Sequence, residues 1–191
     1  MELNKRTLIG TVGYHMLRNH SVAPILLPEI QSVNWPDSVE IEEMNWGPIA
    51  IVQYFQTLKI SFDRVIFLVA IERPNREIGD ITIFQWNGGL PTSTQIQACI
   101  GDAATGVISV ENLLIIGEFF KIWPKDVYLI DVEPGPEQGG EYLTEAVERK
   151  IPEILYTLER ITLQGISLEE EVLVLKGDEM FNDMNYENSR H

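Results

Sequence analysis

Two histidines, His15 and His20, are the residues best suited to metal chemistry in this 191-residue sequence. Both follow a short apolar run, Thr7–Gly13, whose pattern predicts a buried strand. Imidazole is a common metal ligand, but a spacing of five residues does not place two histidines on one face of a helix. Spacing alone therefore predicts no metal site, and His20 is kept as the candidate ligand.

The sequence contains no motif for other kinds of catalytic chemistry. Cys99 is the only cysteine, which excludes a disulfide within the chain and a zinc site built from cysteine pairs. The chain also lacks the glycine-rich motifs that hold nucleotides or phosphates and the Gly-x-Ser-x-Gly motif of serine hydrolases. The sequence accordingly predicts no catalytic residue.

The elements that must position any functional side chain alternate between strands and helices. Apolar runs and alternating patterns predict five strands, at residues 7–13, 38–44, 64–71, 79–85 (an exposed edge) and 126–132. Helical spacing predicts helices at residues 22–32, 48–59 (burying Ile49, Val52, Phe55 and Leu58), 107–120 and 144–160. This alternation predicts an α/β domain with helices on both faces of the sheet.

In a fold of this kind the ligand site lies beyond the carboxyl ends of the strands. The loops there contain small polar, aromatic and acidic residues, and Trp46 is interpreted as a buried or lid-like aromatic. The candidates for a cleft or an interaction site are Asn19, Met44, Asn45, Trp46 and Glu133.

The charge balance restricts the classes of partner. Fourteen Lys and Arg against 29 Asp and Glu give a net charge of −15. Nucleic acids and anionic membranes are polyanions, so neither is predicted as a partner. No apolar run reaches the roughly 18–20 residues of a membrane span, and no apolar segment of signal-peptide type follows residues 1–6. The sequence therefore predicts a cytoplasmic protein.

Over about residues 7–161 the order and spacing of several stretches resemble the hydrogenase maturation proteases. These enzymes remove the C-terminal extension of NiFe-hydrogenase large subunits after nickel insertion. The resemblance implies a three-layer α/β/α fold with a twisted, mostly parallel five-stranded sheet that has one antiparallel strand. The stretches that carry it are 11–24, 39–46, 64–84, 123–134 and 140–147.

The resemblance also implies where nickel would be sensed, by two carboxylates and a histidine. Those positions correspond to His20, Val69 and Gly106, the last in an uncertain register. Valine and glycine offer no donor atom in their side chains, whereas a divalent ion needs several donors in one place. The resemblance is thus to a divergent member that lacks the nickel-binding residues.

The sequence predicts a non-catalytic protein of this fold that acts as a binding or assembly factor for a protein partner. That partner is a hydrogenase-type large subunit or another complex under assembly, and no cofactor is implied. One alternative is an active metal-dependent endopeptidase with nickel held by a relocated set: His15, His20, Glu43 and Asp102. Another is a small-ligand module using Tyr14, Trp46 and Trp86.

The C-terminal segment is treated separately from the domain at residues 1–166. Residues 167–191 contain seven acids and two bases, a net charge of −5. Three acids followed by four apolar residues, 169–175, are interpreted as a sixth, edge strand or as a partner-binding segment. Low hydrophobicity from residue 177 onward predicts that part of this acidic extension is mobile.

Overall fold

A computed structural model describes residues 5–167 and 171–180. The predicted mobility of the acidic extension falls largely outside these residues.

The described residues form a six-stranded sheet with the order β2-β1-β3-β5-β4-β6. Strands β1, β2, β3 and β5 are parallel to one another, whereas β4 runs antiparallel to β5 and β6 runs parallel to β4. The strands are β1 (Thr7–Thr11), β2 (Val39–Glu43), β3 (Arg64–Ala70), β4 (Ile81–Trp86), β5 (Asp126–Val132) and β6 (Val172–Leu175).

Helices cover both faces of the sheet, which confirms the predicted three-layer α/β/α architecture. One apolar core lies between the sheet and α2, α3 and α4, and the second lies between the sheet and α1, α5 and α6. Strands β3 and β5 are buried on both faces, as continuous apolar runs in a parallel sheet require. The helices are α1 (Val22–Ser32), α2 (Pro48–Thr57), α3 (Ser93–Ala104), α4 (Val110–Phe119), α5 (Glu145–Glu148) and α6 (Ile151–Gln164).

The predicted count of five strands is wrong because β6 adds a sixth. The backbone of β6 pairs in parallel with β4, from Ile83 opposite Val172 to Trp86 opposite Leu175. The strand predicted as an exposed edge, β4, is therefore internal to the sheet. Within residues 169–175, the described part forms the predicted edge strand at Val172–Leu175.

Two helix predictions also need correction. The long helix predicted at 144–160 is two helices, and Pro152 in the first turn of α6 explains the division, because proline cannot continue the hydrogen bonding of a preceding helix. Helix α2 ends at Thr57, and Ile49 is exposed while Ile51 is buried in its place.

Within residues 5–167 and 171–180, no helix combines the length and apolar character needed to cross a membrane.

Candidate functional site

The carboxyl ends of the four parallel strands meet at one edge of the sheet, and a cavity of about 330 Å3 opens there. We call it the central cavity. Its walls come from the segment after β1, the end of β3, and the start of α4, with one residue from the loop after β5. Residues that line it include Tyr14, His20, Val69, Glu72, Ile108, Glu111 and Glu137.

Two of the three positions implied by the resemblance lie in this cavity. His20 and Val69 both line it, and the Val69 side chain is only 2% exposed. Gly106 is exposed just after α3, and it is residues 108–111 that supply the corresponding wall. The cavity therefore brings together one imidazole and one aliphatic side chain at these positions.

The His20 ring is engaged with the protein rather than directed only at the cavity. Its Nε2 atom lies 3.0 Å from the carbonyl oxygen of Gly135, within hydrogen-bond distance. The two loops concerned are joined further by backbone bonds, since the Arg18 amide donates to Gly140 O and the Gly140 amide donates to Met16 O, both at 2.9 Å. Met16 and Arg18 adopt positive φ angles of 65° and 46°.

The carboxylates of the central cavity do not converge on one point. Glu111 lies 3.6 Å from the Arg73 guanidinium, measured from Oε1 to Nη2. Burial raises the pKa of Glu111, and the charge of Arg73 opposes that rise. Glu72 and Glu137 lie on exposed loop segments. Across the described ranges, no group of three or more His, Cys, Asp and Glu side chains is placed to hold a metal ion.

Behind the cavity lies a buried ion cluster, formed by Arg73, Arg76, Asp131 and Glu133. Asp131, at the end of β5, is fully buried, and its Oδ2 lies 2.6 Å from Arg73 Nε and 3.5 Å from Arg76 Nη1. Burial raises the pKa of Asp131, while Arg73 and Arg76 act in the opposite direction. Glu133 accepts hydrogen bonds from the backbone amides of Arg73 and Gly135. These four side chains hold the β3 and β5 loops together.

Three of the five residues predicted for a cleft or an interaction site are buried and contact other parts of the protein. Glu133 is buried in the ion cluster. The buried Asn19 donates through Nδ2 to Pro134 O at 2.9 Å and accepts from the Thr144 amide at 2.9 Å. Met44 lies in the core, where its Cγ occupies the space that a Cβ at Gly10 would need.

The other two candidates line a second cavity, of about 490 Å3, which we call the aromatic pocket. It adjoins the central cavity, because Gly13, Tyr14 and Ile108 line both. Trp46 is 37% exposed there. The residues that line the aromatic pocket are Gly13, Tyr14, His15, Glu42, Glu43, Asn45, Trp46 and Ile108.

The sets proposed for the two alternative functions are only partly assembled. His15 Nε2 lies 2.8 Å from Glu43 Oε1. His20, however, faces the carbonyl oxygen of Gly135, and Asp102 on α3 accepts from the Asn112 side chain on α4. Tyr14 and Trp46 share the aromatic pocket, whereas Trp86 is buried at the end of β4, where its Nε1 donates to Glu118. The relocated metal set is therefore not brought together.

The ion cluster is the feature that sequence reasoning missed. Its arginines follow β3, in a loop that carries no catalytic motif, and its acids lie about 55–60 residues later in β5 and the loop after it. A signal is present in hindsight, because an aspartate inside the apolar run Asp126–Val132 is rarely buried unless it is paired.

Several solved structures share this fold, among them three hydrogenase maturation proteases. The hydrogenase maturating endopeptidase HybD from E. coli is 21% identical, with a TM-score of 0.60 over 84% of this chain and 94% of that chain. The hydrogenase 2 maturation peptidase from Thaumarchaeota archaeon SCGC_AB-539-E09 is 20% identical, with a TM-score of 0.54 over 86% and 100%. The NiFe hydrogenase maturation protease HybD from Thermococcus kodakarensis is 13% identical, with a TM-score of 0.54 over 82% and 98%.

No protein-family model and no curated protein matches the sequence. At these identities the structural likeness shows a shared fold. It confirms, at the level of the fold, the resemblance to the hydrogenase maturation proteases.

Proposed function

We propose that this protein is a divergent, non-catalytic relative of the hydrogenase maturation proteases that acts in the cytoplasm as a binding or assembly factor. Its partner is a protein, either a NiFe-hydrogenase large subunit or another complex under assembly. The proposal has two parts: the absence of metal-dependent proteolysis, and the use of the cavities for docking.

The observation that carries the first part is the composition of the central cavity. A nickel-sensing site needs several donor atoms around one point. At the corresponding positions the cavity has His20, which already faces Gly135 O, and the hydrocarbon side chain of Val69. Glu111, another residue of the cavity wall, lies 3.6 Å from the Arg73 guanidinium. These contacts favour a cavity that does not bind nickel.

The second part is supported by the space that remains. The central cavity has a volume of about 330 Å3, and the aromatic pocket beside it has about 490 Å3. Cavities of this size hold a ligand or a short segment of a partner protein. A vestigial site without any role would be expected to fill with side chains, because close packing stabilises the fold.

Nickel binding tests the first part. We expect purified wild-type protein and the H20A variant to retain equally little Ni²⁺ after equilibrium dialysis, with H15A as the matched control on the same loop. A purified NiFe-hydrogenase large-subunit precursor should keep its full mass after incubation with the protein and nickel. Stoichiometric nickel lost only in H20A, or a shortened precursor, would establish the endopeptidase alternative instead.

Partner binding tests the second part. We expect the same precursor, immobilised for biolayer interferometry, to bind the wild-type protein without being cleaved. Charge reversal at the cavity rim in E72R/E137R should weaken that binding at least about tenfold, which is about 1.4 kcal/mol. The control is E159R, on the exposed face of α6. Equal binding by the rim variant and the control would exclude docking at the central cavity.

A further inference from the structure

The aromatic pocket is held in shape by its own hydrogen bonds. The Tyr14 hydroxyl accepts from the Ile108 amide at 2.7 Å, which fixes the ring against the segment before α4. The Asn45 side chain accepts from the Gly13 amide at 3.0 Å and donates to Glu43 Oε1 at 2.7 Å. A pocket whose side chains are already ordered binds a ligand with a smaller entropic cost.

Trp46 is fixed in the same way and still presents part of its surface. Its indole Nε1 donates to the carbonyl oxygen of Glu43, and its ring meets Tyr54 edge to face, with ring centroids 5.4 Å apart. The ring nevertheless remains more than one-third exposed at the pocket. An exposed but immobile indole at a concave surface is suited to stacking with a ligand.

The charge of the pocket is negative, and part of it is unpaired. The His15 ring and the Asn45 amide both contact Oε1 of Glu43, and Oε2 has no hydrogen bond from the described residues. Glu42 has no hydrogen-bond or ion-pair partner among residues 5–167 and 171–180. Burial and the neighbouring Glu40 carboxylate raise the pKa of Glu42, so a cation beside it would relieve an unfavourable environment.

We propose that the aromatic pocket binds the side chain of an arginine presented by the protein partner, an inference that rests on the proposed function. The guanidinium stacks on the Trp46 ring, and its N–H groups donate to the Glu42 carboxylate, which lies on the Tyr54 side of β2 as Trp46 does. Guanidinium is the cation most often found over aromatic rings, and its planar fork matches carboxylate oxygens.

Other ligand classes fit the pocket less well. Two carboxylates repel an anionic ligand, and an apolar ligand would remove water from the Glu42 carboxylate without giving it a partner. A lysine ammonium carries the charge but lacks the flat face that stacks on an indole. The net charge of −15 on the whole chain adds long-range attraction for a basic partner.

A pair of isosteric peptides tests the proposal. NMR titration of the full chain with N-acetyl-Gly-Arg-Gly-amide should shift the Trp46 indole N–H resonance in a saturable way. The same peptide with citrulline in place of arginine, which keeps the shape and removes the charge, should bind at least about tenfold more weakly. The Trp35 indole, on the α1 side of the sheet, is the internal reference and should not move. Equal shifts with both peptides, or none with either, would overturn the proposal.

Variants identify the groups responsible. Isothermal titration calorimetry measures the variants, because W46L lacks the indole resonance. E42Q and W46L should each weaken arginine-peptide binding by about threefold to tenfold, as expected for one charge or one cation–π contact. E159Q and Y156L, at exposed positions of α6, are the matched controls and should bind as the wild type does. E42Q keeps the size and hydrogen-bonding capacity of the side chain, so its effect reports on charge and not on folding.

The precursor assay separates this inference from the proposed function. If E42Q and W46L bind the precursor as tightly as the wild type while E72R/E137R does not, the partner docks only in the central cavity and the arginine proposal fails alone. If no variant and no wild-type protein binds the precursor, but the arginine peptide still binds in the NMR titration, the pocket is confirmed and the hydrogenase partner is excluded.

Discussion

Carboxylates occupy two neighbouring regions of this molecule in opposite ways. In the ion cluster, Asp131 and Glu133 are buried and engage Arg73, Arg76 and backbone amides. In the aromatic pocket, Glu42 and one oxygen of Glu43 remain available beside a fixed indole. Both regions lie at the carboxyl edge of the sheet.

This difference in pairing indicates that the carboxylates of the ion cluster maintain the fold, whereas those of the aromatic pocket are available to bind a ligand. A buried carboxylate with charged partners is costly to remove and has little acceptor capacity left for an incoming molecule. A half-exposed carboxylate without a partner contributes little to stability and gains most when a cation arrives. Mutations in the two regions should therefore affect different quantities.

The largest expected effect is on stability, at the ion cluster. D131A removes the shared partner of Arg73 and Arg76, and leaving those cations in a buried site should lower the free energy of unfolding by about 3–5 kcal/mol. Urea denaturation followed by circular dichroism measures the loss, with E159A as the exposed control. A loss below about 1 kcal/mol would mean that the cluster does not maintain the fold, and the comparison between the regions would collapse.

A smaller effect is expected at Glu111, which lies between the cluster and the central cavity. Because burial raises the folded-state pKa of Glu111 above its ordinary value of 4.5, the stability linked to its protonation is present below that value and is lost as the pH rises through the folded pKa. In E111Q the glutamine side chain does not ionise, so this loss of stability with rising pH does not occur. The variant should therefore gain stability relative to wild type as the pH rises above about 4.5, by less than about 1 kcal/mol.

Denaturation midpoints of the two proteins across this pH range provide the measurement. A difference between wild type and E111Q that does not change with pH would show that Arg73 compensates the buried charge fully. Glu111 would then belong with the paired carboxylates of the ion cluster.

The smallest expected effect is on stability at the aromatic pocket. E42Q should change the free energy of unfolding by no more than about 0.5 kcal/mol, because the carboxylate has no partner to lose. Thermal unfolding and the arginine-peptide titration on the same preparation give both quantities. A stability loss like that of D131A would place Glu42 among the structural carboxylates and remove the contrast.

Much of the fold could be predicted because it rests on local patterns. The uninterrupted apolar run of β3 indicates a strand buried on both faces, and the 22–32 spacing gives α1 with the bounds later observed. Helix α3 was missed because only Ile96 and Cys99 are buried on it, although Thr92 and Gln95 form the capping box that marks its start. The pairing of β6 with β4 is a long-range choice that no local pattern specifies.

The site was less accessible to sequence reasoning, because its contacts join distant segments. The candidates Asn45 and Trp46 line a pocket, while the neighbouring Met44 faces the core, since successive residues at the end of β2 point in different directions. Glu133 was also a candidate for an interaction site, and only its position against Arg73 and Gly135 reveals a buried role. Residue type identified the carboxylates, and tertiary contacts distinguished their functions.

The hydrogen bonds between residues 16–20 and residues 134–140 have a consequence for how the molecule is made. They join segments about 115 positions apart, a loop closure that is slow and that requires β5 to be in place. A chain emerging from the ribosome cannot complete this wall until about three-quarters of its residues have been synthesised. The central cavity is therefore completed late in synthesis, and a partner that docks there meets chains in which β1 to β5 have already been made.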